Sequence, residues 1–409
     1  MDTDVEVPSY FKCPISMELM RDPVTICTGM TYDRESIEHW IYTCKKKTCP
    51  ATMQELQNME FTPNHTLRRL IQGWCVVNSS KGVDRIPTPR PPLDAAQVSV
   101  LLQKAVGTSP FEAIGALKKL RSLARESAQN LRCIAASVPA PALISVLNSN
   151  CREEIEAEGS NSQVCEEVLG ILHLLPVTPE SAKLLSEAAA IRSLALILQR
   201  GSTEARVHAV TLLGGIASRV PDWEMVIRKN GDLLRALVEI LEAEVCHQAT
   251  VAALDALREI CGNSRRNKLK AVEAGAVFAL VELLPEAGGL KCERILETLD
   301  KLLDCAEGRA AAAEHAMAVA AVSKKIMRVS EAGTRRAVRI LWSLCVFSPR
   351  AGILRDMIQF GAVSKLSMLL QLDCSSKTKQ KAQEVLKLHG KSWSSSPCFP
   401  LHFKNDYIH

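Results

Sequence analysis

Aromatic residues are scarce in this chain, with 5 Trp, 4 Tyr and 8 Phe among 409 residues. That excludes a core built mainly on large rings. The abundance of Leu and Ala points instead to helices stacked in many small, similar layers. Charge of one sign is missing too. Residues 1–80 carry 8 basic and 10 acidic side chains, and the remainder carries 42 and 35. Neither part is basic enough to argue for a nucleic-acid partner. No apolar run approaches a membrane span, so no integral membrane segment is expected. The opening Met1-Asp-Thr-Asp-Val-Glu-Val is acidic and has no apolar leader. The 15 scattered cysteines are then expected to be reduced thiols of a cytoplasmic or nuclear protein.

Close cysteine pairs are also lacking. In the first block the spacing is Cys13-x13-Cys27-x16-Cys44-x4-Cys49, and Cys75 follows. A zinc site takes four ligands, and one turn normally supplies two of them as Cys-x2-Cys. Only Cys44 and Cys49 come near that, and His39 and His65 do not complete two sites. No metal and no other cofactor is expected. Small cores with two irregular loops need a staple. Here it must be hydrogen bonds and ion pairs, for which Glu18, Asp22, Thr31, Asp33, Arg34 and Glu35 are available.

What is present is ordered. Val24–Cys27 and Met30–Tyr32 flank Thr28-Gly29, a β-hairpin turned by glycine. Asp33 is placed to cap a helix carrying Ile37, Trp40 and Ile41 on one face. Asn64 is placed to cap another, with Leu67, Leu70, Ile71 and Trp74 as its apolar stripe. Residues 87–92, Pro-Thr-Pro-Arg-Pro-Pro, read as an extended connector, so the linker is set at 81–95.

Beyond it a pattern recurs. Leu117, Leu169, Leu213, Leu257, Leu299 and Leu341 each precede an apolar residue three positions on, and Leu386 starts a seventh copy. The spacings are 52, 44, 44, 42, 42 and 45. A second series keeps the same beat at Leu143, Leu194, Leu237, Leu280 and Leu366, with a degenerate copy near Ile326. Two markers in phase indicate units of two or three helices that bury their faces only by stacking. The expected solenoid covers 96–393 in six to seven repeats. The polar stretch 148–162 reads as an inserted loop, and the tail 394–409, without helical period, as disordered.

The segments CPISMELMRDPVTICTGMTYDRESIEHWI and TPNHTLRRLIQGWC resemble a U-box, the metal-free relative of the RING domain, over residues 6–80. With the linker and a period near 42, the chain resembles plant U-box/armadillo ubiquitin ligases, closest to the group acting in immune and drought signalling. The expected fold is mainly α, a small α+β U-box followed by an armadillo solenoid.

The resemblance implies a ligase without a nucleophile of its own. Its work is to bring a ubiquitin-charged conjugating enzyme beside lysines of substrates held on the repeats and destined for degradation. It places Ile15, Met17, Trp40, Pro50 and Met53 at the conjugating-enzyme face, and Cys13, Pro14, Asp22, Pro23, Gly29, Tyr32, Asp33 and Arg34 in the scaffold. Met53 stands where U-boxes commonly carry Arg or Lys, and it cannot donate a hydrogen bond. A homodimer through the hairpin and last helix is a further family habit. The alternative is a non-catalytic scaffold with a weakened docking module. On the repeats, Arg265, Arg266, Lys268 and Lys270, and again Arg335, Arg336 and Arg339, read either as a surface for an acidic partner or as solvated faces. Ladders of Trp and Asn, used by armadillo import adaptors, are absent.

Overall fold

The Thr28-Gly29 turn forms where the sequence places it. Gly29 takes φ +80°, open to glycine at no steric cost, and Ile26 N donates to Met30 O at 3.0 Å. The hairpin joins β1 (Pro23–Thr25) to β2 (Thr31–Asp33), with Val24 opposite Tyr32. A third short strand, β3 (Thr62–Pro63), pairs with the other edge of β1. Helix α1 (Arg34–Glu38) follows β2, and α2 (His65–Val77) follows β3.

The computed structural model describes residues 6–84, 93–107, 109–151, 160–220, 222–262, 264–394 and 399. It comprises two compact units. The first runs to Asp94 and includes Ser127–Asn130; the second is the remainder. The Pro-rich stretch 87–92 lies outside the described residues. So do 152–159 of the expected inserted loop, whose flanks 148–150 and 160–162 are helical rather than loop. Of the tail, 395–398 and 400–409 also lie outside, and Phe399 is buried.

In the first unit Asn64 caps α2 as expected, accepting from Leu67 N at 3.0 Å. The stripe of α2 is shifted, however. Ile71 and Cys75 are buried while Leu70 is 55% exposed. At 100° per residue, Leu70 sits about 90° from the centre of the face shared by Leu67, Ile71, Trp74 and Cys75. Asp33 is not a side-chain cap either; its carboxylate turns to the first loop.

The second unit opens with α3 (Ala95–Gly107) and α4 (Pro110–Glu126). Six three-helix repeats follow. Their short first helices are α5 (Ala128–Ser137), α8 (Pro179–Leu185), α11 (Trp223–Lys229), α14 (Arg265–Glu273), α17 (Ala306–Glu314) and α20 (Ala351–Gln359). The second helices are α6 (Ala140–Asn150), α9 (Ala188–Arg200), α12 (Leu233–Ala243), α15 (Ala276–Leu283), α18 (Ala318–Lys325) and α21 (Ala362–Gln371). The third are α7 (Ser160–Leu174), α10 (Thr203–Ile216), α13 (His247–Cys261), α16 (Gly289–Leu302), α19 (Glu331–Phe347) and α22 (Ser376–Leu388), with α23 (Gly390–Trp393) after them.

The two sequence markers are the two ladders. Leu169, Leu213, Leu257, Leu299 and Leu341 are buried on successive third helices, and Leu143, Leu194, Leu237, Leu280 and Leu366 on second helices. Each third helix packs on the next.

Lysines join the repeats. Lys270 donates to Ile227 O, Lys301 to Arg258 O, Lys325 to Pro285 O and Ala287 O, and Lys365 to Ser323 O. Each ammonium satisfies carbonyls at or beyond a helix C-terminus one repeat earlier, where the helix leaves them unpaired and the dipole is negative.

Two histidines stack between α7 and α10. The rings of His173 and His208 lie 4.6 Å apart, with Glu204 3.9 Å from His208 and Arg121 and Arg125 nearby. Burial first, then His173, pushes His208 down to about 4. The unfolded chain therefore takes up a proton as pH falls through 6.5, and the native chain does not until near 4. Stability should fall over that window, by about 2–3 kcal/mol from this residue. Urea unfolding at both ends of the window, for wild type and His208→Gln, measures it. Equal losses in both proteins would remove His208 as the cause.

Candidate docking site in the first unit

Two loops flank β2, and their backbones follow one design. In the first, Cys13 N donates to Glu18 O at 2.8 Å and Met17 N to Cys13 O at 2.8 Å. In the second, Cys49 N donates to Gln54 O at 2.8 Å and Met53 N to Cys49 O at 2.8 Å. Met17 and Met53 take φ 59° and 58°, the left-handed region. The sequences are Cys-Pro-Ile-Ser-Met-Glu and Cys-Pro-Ala-Thr-Met-Gln.

Each loop hangs on a buried thiol. Cys13 Sγ accepts from Asp33 N at 3.3 Å. Cys49 Sγ is held by Thr28 Oγ1 at 3.4 Å and Tyr32 OH at 3.1 Å. Neighbouring residues of β2 thus carry the two loops, and Ala51 N adds a bond to Tyr32 OH at 3.0 Å. Burial works to raise the Cys49 pKa. Hydrogen bonds from Thr28, Thr52 and Tyr32 outweigh it and bring the thiol down to about 6. Burial raises Tyr32. No group of three or more His, Cys, Asp or Glu among the described residues is arranged to hold a metal ion.

Ion pairs complete the staple. Asp22 accepts from Arg34 Nε at 2.6 Å and also from Arg68 on α2. Asp33 Oδ1 accepts from Arg21 N at 2.7 Å and Asp22 N at 2.8 Å, which explains why it is not free to cap α1. Burial raises its pKa. Glu18 and Glu35, counted as available, are exposed. The sequence reading missed Arg68. It also missed the likeness of the two loops, for which the repeated Cys-Pro-x-Ser/Thr-Met was the available signal.

The residues expected at the docking face are placed as follows. After α1 the helix widens into a π turn over His39–Thr43, a distortion frequent at functional sites. Ile37 and Ile41 are buried, while Trp40 is half-buried and donates from Nε1 to Thr48 O at 2.8 Å, tying the helix to the second loop. Ile15 packs half-buried on the core rather than standing free. Pro50 is half-buried, and Pro14 and Ser16 are exposed. Met17 and Met53 are 70% and 68% exposed. Pro23 is buried at the start of β1.

Residues 7–80 match the U-box domain family, and residues 97–408 match the family described as the plant U-box protein ARM repeat region. The chain belongs to the plant U-box family with armadillo repeats. It is 40% identical to E3 ubiquitin-protein ligase PUB23 of Arabidopsis thaliana, over 98% of this chain and 97% of that one. It is 38% identical to E3 ubiquitin-protein ligase PUB22 of the same plant, over 100% of both. U-box domain-containing protein 25 of Arabidopsis thaliana is 35% identical over 96% of this chain and 93% of its own length. This plant U-box chain is thus a RING-type ubiquitin transferase with an armadillo array.

The repeats of this family member correct one expectation. Lys268 pairs with Asp304 at 2.9 Å, Lys270 bonds to Ile227 O, and Arg265 lies 4.0 Å from Glu307. That basic run mostly joins repeats. No single described helix is long and apolar enough to cross a membrane.

Proposed function

We propose that the U-box docks a ubiquitin-charged conjugating enzyme on the face of Ile15, Met17, Trp40, Pro50 and Met53. The armadillo array holds the substrate, whose lysines receive ubiquitin and which is thereby marked for degradation. The observation that carries this is the pair of matched loops, each presenting an exposed methionine above half-buried apolar neighbours. Methionine is adaptable at protein-binding surfaces, and exposed apolar groups on a rigid frame suit partner docking. The low-pKa thiol, Cys49, is fully buried and unsuited to carry ubiquitin as a thioester. Catalysis here is positioning of the charged enzyme beside its acceptor.

Self-association through the hairpin and α2 belongs to the same reading, since Leu70 and Val77 are exposed along one side of α2. The setting is a cytoplasmic or nuclear role in plant immune or stress signalling, supported by the resemblance to that group. A non-catalytic scaffold is the second reading. Met53 favours it, because a thioether cannot clamp ubiquitin by donating a hydrogen bond.

The test is self-ubiquitination by the purified chain with activating enzyme, ubiquitin and a panel of conjugating enzymes, with a chelator present throughout. A ladder is expected. No ladder with any conjugating enzyme leaves the scaffold.

A further inference from the structure

The repeat array carries a cleft of about 520 Å³ between α16, α19 and α22. Three carboxylates line it, and each is already matched. Glu297 lies 3.0 Å from Arg336. Asp300 is held by Arg339 at 3.1 Å, and Asp304 by Arg339 and Lys268, both at 2.9 Å. The remaining cations of the lining are Lys301, Arg335, Lys377 and Lys381.

None of these four has a carboxylate at ion-pair distance among the described residues. Lys301 spends one donor on Arg258 O at 3.3 Å. Lys381 sits 3.3 Å over the Trp342 ring, whose Nε1 donates to Glu384 at 2.7 Å. Arg335 and Lys377 are exposed. Once its internal pairs are formed, the cleft is a positive site with fixed walls.

Helix ends add to this. Lys377 and Thr378 lie in the first turn of α22, and Arg335 in the early turns of α19. Ser375, before α22, contributes no side-chain cap. The N-terminal partial charge and free amides there favour an anion. At one end Lys381 leads to Trp342 and on to Phe347, which is 56% exposed beside Arg309 at 4.7 Å.

We infer that this cleft binds an acidic, extended protein segment, with carboxylates meeting Arg335, Lys377, Lys381 and Lys301 and an apolar residue reaching Phe347. The inference rests on the reading that the array holds substrate, and it names the chemistry of what is held. A nucleic-acid backbone fits less well. Its evenly spaced phosphates need a continuous basic track, whereas Glu297, Asp300 and Asp304 interrupt this one. Three packed helices span roughly 20 Å, a distance that about six extended residues cover.

The test uses the full-length chain and a fluorescein-labelled peptide of about ten residues, enough to span the three helices, alternating Asp and Glu with Ser and Leu. Anisotropy is measured beside a counterpart with Asn and Gln. The acidic peptide is expected to bind, more weakly as salt rises, and the amide peptide not to. Arg335→Glu combined with Lys377→Glu is expected to weaken binding by about tenfold or more, with an unchanged unfolding midpoint. The exposed Lys118→Glu on α4, in contrast, keeps it.

Equal binding of the two peptides, or no loss on charge reversal, overturns the inference. So does displacement by a single-stranded oligonucleotide at lower concentration than by unlabelled peptide. A ubiquitin ladder without peptide binding rejects the cleft alone. Peptide binding without a ladder keeps the cleft and rejects the ligase reading.

Discussion

Replacing Ile15 by alanine should abolish the ubiquitin ladder while costing the protein only about 1–2 kcal/mol, roughly half the loss for a fully buried isoleucine. The two effects separate because of how the first loop is held. Its shape comes from the Cys13–Glu18 and Met17–Cys13 backbone bonds and from Cys13 beneath Asp33 N, none of which uses the isoleucine side chain. Truncation therefore removes part of a contact face and leaves the loop in place.

Trp40 gives no such separation. It bonds to Thr48 O and packs on the core, so Trp40→Ala would take about 3–5 kcal/mol from a small domain. Ladder formation and thermal unfolding of Ile15→Ala, measured side by side, decide the matter. A wild-type ladder from a folded Ile15→Ala protein would place the docking face elsewhere.

The second large effect is structural. Asp22→Ala should strip hydrogen-exchange protection from β1, β2 and β3 at native pH. One carboxylate here serves two guanidiniums, Arg34 and Arg68, whose side chains are 16% and 14% exposed. Removing it leaves two poorly solvated cations side by side, a loss of about 3–5 kcal/mol. A core this small has about that much net stability. Arg34 also donates its backbone amide to Asp22 O at 3.0 Å, and Asn64 N reaches Pro23 O at 2.8 Å. Those bonds survive the substitution and set what protection remains. Protection equal to wild type across the three strands would show that the ion cluster is ornamental and that the buried thiols and Tyr32 suffice.

The two predictions bear on one question, how a U-box keeps two loops in register. Ion pairs join the first loop to α1 and α2. Thiol and hydroxyl contacts hang both loops on β2. Exposed ion pairs contribute little in general. The cluster at Asp22 differs in being partly buried and shared by three segments of the chain.

The sequence by itself determined everything that follows from local periodicity. The hairpin turns at Gly29, Asn64 caps α2, and the two leucine series mark the two ladders of helices with their phase intact. Each of these depends on residues a few positions apart, so burial and backbone preference write them directly into the order of side chains. Where competition between distant partners decides, the sequence was silent or misleading. Asp33 had a cap within reach, yet the Arg21 and Asp22 amides take its carboxylate because β2 brings them closer. Lys268 and Lys270 looked like a free basic patch, yet they find Asp304 and Ile227 O about one repeat away. Asp22 meets Arg68 across 46 positions. A polar side chain can satisfy itself in many ways along an unfolded chain. Only packing fixes which partner is near enough, and dry enough, to win.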